Sequence, residues 1–246
     1  LIFIFAFPDQ SGQFSLTNFK DMGIYMPVLG RSIALSVIST LICLLLGFPV
    51  AYILAMKVKN STTLVMLVML PMWMNFLLRT YAWLTILENN GLLNRLLELL
   101  HLPALQIINT PTAVVIGMIY NYLPFMILPI HSVLLKIHSS LIEAAEDLGA
   151  SSFQVFWRVT LPLSLPGIMS GILMVFMPAI STFIISKMLG GGSYLLIGDL
   201  IEMQFIGNSY NPHLGSAISL VMMLIILIIM SIVNHFGGAD QEGTLL

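Results

Sequence analysis

EAAEDLGASSFQVFWRVTLP, residues 143–162, is a polar island in a chain that is otherwise almost entirely apolar. Ser140-Leu141-Ile142-Glu143 predicts a capping box. The serine hydroxyl would accept from the backbone N–H three residues on, and the glutamate would reach back to the serine N–H. Leu141, Ala145 and Leu148 then fall on one helix face, with Glu143, Glu146 and Asp147 turned away from it. Gly149 stands where a helix C-terminus needs a left-handed residue. Ser151-Ser152-Phe153-Gln154 repeats the box pattern and opens a second short helix through about Thr160, with Phe153, Phe156 and Trp157 as its apolar side. Pro162 and Pro166 are expected to stop that helix and start the next one. The island thus reads as helix, glycine turn, helix, bounded by proline: a folded docking element. Helix physics alone accounts for Glu143 and Gln154 as caps. It does not account for Ala144-Ala145, Gly149 and Leu161-Pro162 occurring together.

Outward from the island the chain reads as membrane. Of 246 residues, 58% are hydrophobic and 8% charged, where a soluble domain carries about a quarter charged. The mean hydropathy is +1.00. Residues 32–56, 99–135, 159–186 and 203–239 contain no Asp, Glu, Lys or Arg, and residues 60–87 contain only Arg79. Each stretch is long enough to cross a hydrocarbon core, which takes about 20 helical residues. That gives five full spans, at roughly 28–56, 61–87, 112–135, 166–188 and 214–236. Residues 1–7, LIFIFAF, reach only about 10 Å as a helix. They are expected to be the outer end of a first span whose beginning is missing, which makes six. Pro49, Pro71, Pro124, Pro129 and Pro178 inside the spans imply kinked helices packed as one bundle. One domain, residues 1–246, is expected.

Between the spans lie a polar loop at 9–27, a tight turn at 57–60, a loop at 88–110, and a glycine-rich loop that runs from Gly190-Gly191-Gly192 through Asp199 and Glu202. Within the second loop, residues 91–100 place leucines at helical spacing with Asn94, Arg95 and Glu98 opposite. That predicts a short helix on the membrane surface. Counting Lys and Arg on the two sides gives a level balance, so charge does not orient the chain. The tail, residues 237–246, carries no Lys or Arg to anchor it.

The spacing of Glu143-Ala144-Ala145, Gly149, Val159 and Leu161-Pro162 resembles the "EAA loop" of permease subunits in bacterial ABC importers. The one departure, Val159 where isoleucine is usual, is mild. LPMWMNFLLRTYAW, IYNYLPFMILP and LLIGDLIEMQF resemble corresponding stretches in the permeases of spermidine/putrescine importers, and in this looser sense the likeness covers most of residues 30–235. The resemblance implies an all-α membrane protein, a six-span type I ABC importer permease-like helical bundle with its first span truncated. It implies that residues 139–162 form a cytoplasmic EAA loop carrying a coupling helix. Glu143, Ala144, Ala145, Asp147, Gly149, Leu161 and Pro162 would couple the chain to an ATPase. Residues 57–60 would then also be cytoplasmic, and residues 9–27, 88–110 and 189–213 external.

The implied partners are a second permease subunit, two cytosolic ATPase subunits that bind ATP and Mg, an external substrate-binding protein and the lipid bilayer. The implied place is the bacterial cytoplasmic (inner) membrane, crossed several times. A polyamine needs carboxylates or carbonyls for its ammonium groups and aromatic faces for cation–π contact. Candidates for a substrate path are Trp73, Asn75, Tyr81, Tyr120, Tyr122, Asp199 and Glu202. The bland alternatives are an interfacial aromatic belt and a solvated loop. Arg79 would repel a cation, and is expected to snorkel to the outer interface or pair with an acidic residue.

Other chemistries find little support. The net charge of −2 offers no broad basic surface, so no nucleic acid is expected. Gly190-Gly191-Gly192 lacks the Lys and Ser/Thr of a phosphate cradle and reads as a hinge or tight turn. No metal spacing and no nucleophile elbow occur, so neither a metal site, a cofactor of its own nor catalysis by this chain is expected. Cys43, the single cysteine, reads as a small packed apolar residue. Two alternatives to a polyamine permease stand: an ABC permease for another small solute, and an ATPase-independent secondary transporter or channel. The second would need charged residues within its spans, and these spans are nearly free of them.

Overall fold

The computed structural model describes residues 5–7, 17–192, 194–207 and 210–237. Among them every regular element is helical: α1 (Thr17–Asp21), α2 (Met26–Lys57), α3 (Ser61–Met69), α4 (Phe76–Leu87), α5 (Leu92–Leu99), α6 (Pro111–Leu134), α7 (Ser139–Asp147), α8 (Ser152–Val155), α9 (Leu161–Ser181), α10 (Ile184–Leu189), α11 (Ile197–Phe205) and α12 (Pro212–Gly237). Helix is what a chain in lipid must choose, because each backbone N–H and C=O finds its partner within the same segment. Four helical stretches are long and apolar enough to cross a membrane: Asn18–Lys57, Pro111–Leu134, Ser152–Ser181 and Pro212–Val233. A fifth is a bent pair, Ser61–Trp73 with Phe76–Leu99. The expected spans at 28–56, 112–135 and 214–236 match this pattern. Of the expected first span only residues 5–7 are described. The rest, residues 9–16 of the expected loop and the tail beyond Gly237 lie outside the described residues; residues 17–27, expected as loop, are helical and lead directly into α2.

Two spans differ from expectation. The stretch at 61–87 is not straight: its two parts meet at 86°. Pro71 has no N–H to give the helix, and residues Leu70–Trp73 tighten into a 3₁₀ turn. Met74 is extended, and Asn75 restarts the helix, its side-chain oxygen accepting from the Leu77 N–H at 2.8 Å. The other difference is the stretch expected at 166–188. Helix runs unbroken from Ser152 to Ser181, through Pro162 and Pro166, and stops at Thr182-Phe183 instead.

The described residues fall into two compact units. One contains the ranges Leu1–Ser39, Asn75–Asn121 and Met177–Ile229. Its fully buried side chains include Val114, Met118, Ile180, Ile185, Leu189, Leu196, Ile197 and Ile218. Small polar residues let helices approach closely here. The Ser39 hydroxyl lies 3.3 Å from the Met118 sulfur, and the Ser32 hydroxyl accepts the Ile197 N–H at 2.8 Å while donating to the Val28 carbonyl. Ala6 packs with Ala217 and Leu220 of α12, flanked by Phe7 and Phe19. The glycine run is a clamped turn: Gly191 and Gly192 have positive φ, and the Asn109 side chain fills the space a Cβ on Gly191 would need.

The other unit contains Thr40–Met74, Tyr122–Phe176 and Met230–Leu246. Met126, Ile130, Leu134 and Val175 are buried in it. Here α9 lies against α6 with almost no space between them. A Cβ on Gly167 would stand 2.9 Å from the Pro129 carbonyl oxygen and 3.0 Å from the Ile130 Cα. Both are backbone atoms, which cannot step aside as a side chain could. Gly167→Ala should therefore cost about 1–3 kcal/mol by overpacking, seen as a lower melting temperature of the purified chain in detergent. Gly30→Ala, where a Cβ would meet nothing within 4 Å, should keep or raise the melting temperature, since alanine favours a helix over glycine by about 0.5–1 kcal/mol. Equal melting of the two variants would refute the close contact.

Candidate functional site

The polar island folds as helix, turn, helix, with one cap where expected and one not. α7 begins at Ser139 with His138 as its N-cap, and no side chain caps it. The Leu141 N–H bonds the His138 carbonyl at 3.1 Å, so Ser140 already lies inside the first turn. The box expected at Ser140 and Glu143 does not form, because a capping serine needs non-helical backbone. The second box forms as expected: the Ser151 N–H donates to Gln154 Oε1 at 2.8 Å, and the Gln154 N–H to Ser151 Oγ at 3.4 Å.

Between them Gly149 has φ +84°. Its N–H donates to the Glu146 carbonyl at 2.8 Å, and the Ala150 N–H to the Ala145 carbonyl at 3.1 Å. These two bonds make a Schellman motif. They explain in local terms why a glycine stands at position 149.

α7 has no buried residue. Glu143, Ala144, Asp147 and Gly149 are exposed, Ala145 is half-buried, and Leu148 is 89% exposed. Ala145, Leu148, Gly149 and Ala150 share a cavity of about 370 Å³ with Gln154, Val155, Arg158 and Val159. Leu161 and Pro162 open α9, half-buried and exposed respectively. Pro162 does not stop the helix, because the turn before it is widened. Residues Phe156–Thr160 form a π turn, with the Leu161 N–H bonded to the Phe156 carbonyl. Such a turn adds a residue to the helical repeat, which makes room for a proline that an ordinary turn would exclude.

The outer candidates are only partly brought together. Asp199 and Glu202 lie on α11 and share a cavity of about 460 Å³ with Lys187, Gly192, Leu195, Met203 and Gly207. Lys187 Nζ reaches both Glu202 oxygens, at 3.0 and 2.9 Å. The sequence reading missed Lys187 as Glu202's partner, since fifteen residues separate the two and no helical spacing relates them. Asp199 is 3% exposed. Its Oδ2 accepts the Leu196 N–H at 2.8 Å, which caps α11. Its Oδ1 is buried without a hydrogen-bond partner. The nearby Ser186 hydroxyl gives its proton to the Phe183 carbonyl at 2.9 Å. Burial pushes the Asp199 carboxyl above its usual range, against the smaller pull of the Leu196 N–H, Ser186 and Lys187, while Glu202 adds to the rise.

The aromatic candidates scatter. Trp73 and Tyr81 are exposed. Asn75 is the α4 cap described above. Tyr120 packs edge-on against Trp83 with centroids 5.2 Å apart, and Tyr122 is buried. Arg79 neither snorkels nor finds an acidic partner among the described residues. It is 8% exposed, with its guanidinium 5.9 Å from the Phe76 ring centre and Nε unbonded. Asn94 also departs from expectation. It is buried, not part of a polar face, and holds the 88–105 loop through bonds to the Asn89 and Leu105 carbonyls and from the Leu105 N–H, at 2.9–3.0 Å. Among the described residues no cluster suits a metal ion.

Comparison with known proteins extends these observations. The family described as "Binding-protein-dependent transport system inner membrane component" matches residues 22–238. The spermidine/putrescine transport system permease protein PotB of Haemophilus influenzae is 39% identical over 232 residues, covering 92% of this chain and 79% of the relative. PotB of Escherichia coli is 39% identical over 217 residues, covering 86% and 78%. Among solved structures, a bacterial ABC transporter involved in the import of the acidic polysaccharide alginate matches with a TM-score of 0.79 at 16% identity, over 93% of this chain and 85% of that one. The MetNI methionine ABC transporter in an inward-facing conformation matches with a TM-score of 0.65 at 17% identity, over 89% and 97%.

The Asp199 environment gives a pH prediction. Because the folded carboxyl is held above its usual range, the folded chain keeps a proton where the unfolded chain has lost it. Stability should then fall as pH rises from the usual carboxylate range to the raised folded value, and stay level above that. Asp199→Asn retains an acceptor for the Leu196 N–H. It should melt at or above the wild type near neutral pH, and the difference should vanish in acid. A wild type that melts higher than the Asn variant at neutral pH would contradict this.

Proposed function

The chain belongs to the family of binding-protein-dependent transport system inner membrane components, and from that membership we propose that it is the polyamine-translocating permease subunit of an ATP-driven importer in a bacterial inner membrane. The substrate part of this reading is supported by 39% identity to two PotB permeases over most of the chain. The observation that carries the mechanism is the coupling loop. It is a two-helix element with an uncovered first helix, fixed at the junction of its helices by a Schellman turn that closes the first and a capping box that opens the second.

In this reading residues 139–162 face the cytosol, and α7 enters a groove of the ATPase. Glu143 and Asp147 meet that partner. Ala144, Ala145 and Gly149 keep the backbone close to it, since small side chains permit near approach. Leu161 and Pro162 begin the helix that carries the motion into the membrane. ATP and Mg sit on two copies of the ATPase, so this chain hydrolyses nothing itself. A second permease supplies the other half of the path, and an external binding protein delivers the substrate. ATPase closure moves the loops, and the paired bundles rock between inward-open and outward-open states, as in alternating access generally. Asp199 and Glu202, with Trp73, Asn75, Tyr81, Tyr120 and Tyr122, are the outer groups offered to a polycation, carboxylate to ammonium and ring face to charge.

The test is reconstitution in proteoliposomes with the native ATPase, second permease and binding protein. Glu143→Lys and Gly149→Ala should lower ATP-driven spermidine uptake by about five- to a hundredfold, the usual range for coupling between sites, with the chain still inserted and assembled. Alanine at Gly149 also meets a left-handed backbone it disfavours. Uptake that continues at the wild-type rate without any ATPase would overturn the reading.

A further inference from the structure

No residue of α7 is fully buried, and Gly149 joins it to α8 through a single left-handed turn. Displacement of α7 that leaves by its C-terminal end passes through α8 and the π turn. At the junction of those two stands Phe156. Its ring meets Phe48 edge-on at 5.8 Å and 84°, and Tyr52 at 5.7 Å and 88°. Phe48 and Tyr52 are four residues apart on α2, so they occupy one face a turn apart, and Phe156 sits against both. On its other side Phe156 meets Trp157 at 5.8 Å and 89°. The Phe156 carbonyl also accepts the Leu161 N–H that closes the π turn.

The neighbouring aromatics do not share this position. Phe153 is 72% exposed, with Trp157 as its one described ring contact. Val155, beside Phe156, is buried, which seats this end of α8 in the surrounding helices while α7 stays uncovered.

We propose that Phe156 is the positioning residue that carries movement of the coupling loop into α2, through its edge-on contacts with Phe48 and Tyr52. The inference rests on the coupling role given to residues 139–162 above. Its physical basis is stiffness. An aromatic ring has two side-chain torsions and packs in preferred edge-to-face geometries. Two such contacts a helical turn apart resist both sliding and tilting of α8 against α2. A leucine would occupy much of the same space and keep it dry, but could change rotamer under load. The ring thus separates two properties that a simple packing residue would merge, burial and rigid transmission.

The experiment measures polyamine uptake and ATP hydrolysis together, in proteoliposomes holding the assembled transporter and its binding protein, with radiolabelled spermidine as the probe. Phe156→Leu should lower spermidine carried per ATP by about threefold or more, the size of effect seen for residues that transmit coupling, while ATP hydrolysis continues and the complex stays assembled. Phe156→Tyr keeps the ring and should retain the wild-type ratio. Tyr52→Leu should lower the ratio as well. The Phe156→Leu/Tyr52→Leu pair should lose less than the product of the single losses, because both remove one shared contact.

If Phe156→Leu melts lower but keeps the wild-type ratio, the ring is only packing and the inference fails. If Phe156→Leu does not assemble, the Tyr52→Leu ratio decides, and an unchanged value there also refutes the proposal. A wild-type complex that takes up spermidine with no ATPase would instead overturn the coupling role itself, so the two failures are distinguishable.

Discussion

Hydrocarbon offers a backbone no hydrogen-bond partners, and that constraint governs this structure. At two places where a membrane helix departs from regularity the break is repaired within a few residues. At Pro71 a 3₁₀ turn tightens the end of one helix and the Asn75 side chain caps the next. At Pro162 a π turn widens the helix so that the proline is carried without a break. At Thr182-Phe183 the helix does stop, and Gly198 lies so close that a Cβ there would come 2.5 Å from the Ser181 carbonyl and 2.6 Å from that of Thr182. Only glycine permits that approach.

The loop at 139–162 obeys the same rule from the opposite side. Its first helix is short, and isolated helices of that length are marginal in water. The loop therefore depends on its ends. Two bonds at Gly149 close α7, and two between Ser151 and Gln154 open α8. Leu148 and the acidic face with Glu143 and Asp147 remain exposed. Terminal caps allow this, because they stabilise the helix without covering its sides.

Charge is used sparingly and is placed by the fold. The Lys187–Glu202 pair is partly exposed and worth little to stability, about 0–1 kcal/mol for such pairs. Asp199 is the costlier group, a buried carboxyl with one oxygen engaged as a helix cap and the other unpaired. Arg79 is likewise buried, against the Phe76 ring. Groups like these are kept in membrane proteins at an energetic cost.

Several features were legible in the residues before any coordinates. Length of apolar run gave the approximate place of the spans at 28–56, 112–135 and 214–236, because membrane thickness fixes helix length. The Ser151–Gln154 box and the left-handed Gly149 were readable because capping is a local affair, settled by residues three or four apart. Other features were not. Ser140 matched a box pattern as well as Ser151 did, yet the chain entered the helix two residues too early for it. Pro162 looked like a stop, but a π turn absorbed it. Asn94 looked like surface polarity, and the loop folded over it. Lys187 found Glu202, and Phe156 found Phe48 and Tyr52, across sequence distances that no periodicity encodes. By itself the sequence determined that this is a helical membrane chain with a capped polar loop, since hydrophobic length and capping are one-dimensional properties. Only the tertiary structure decided which side chains meet, because contacts between helices depend on how their axes pack, and that is set by the whole bundle at once.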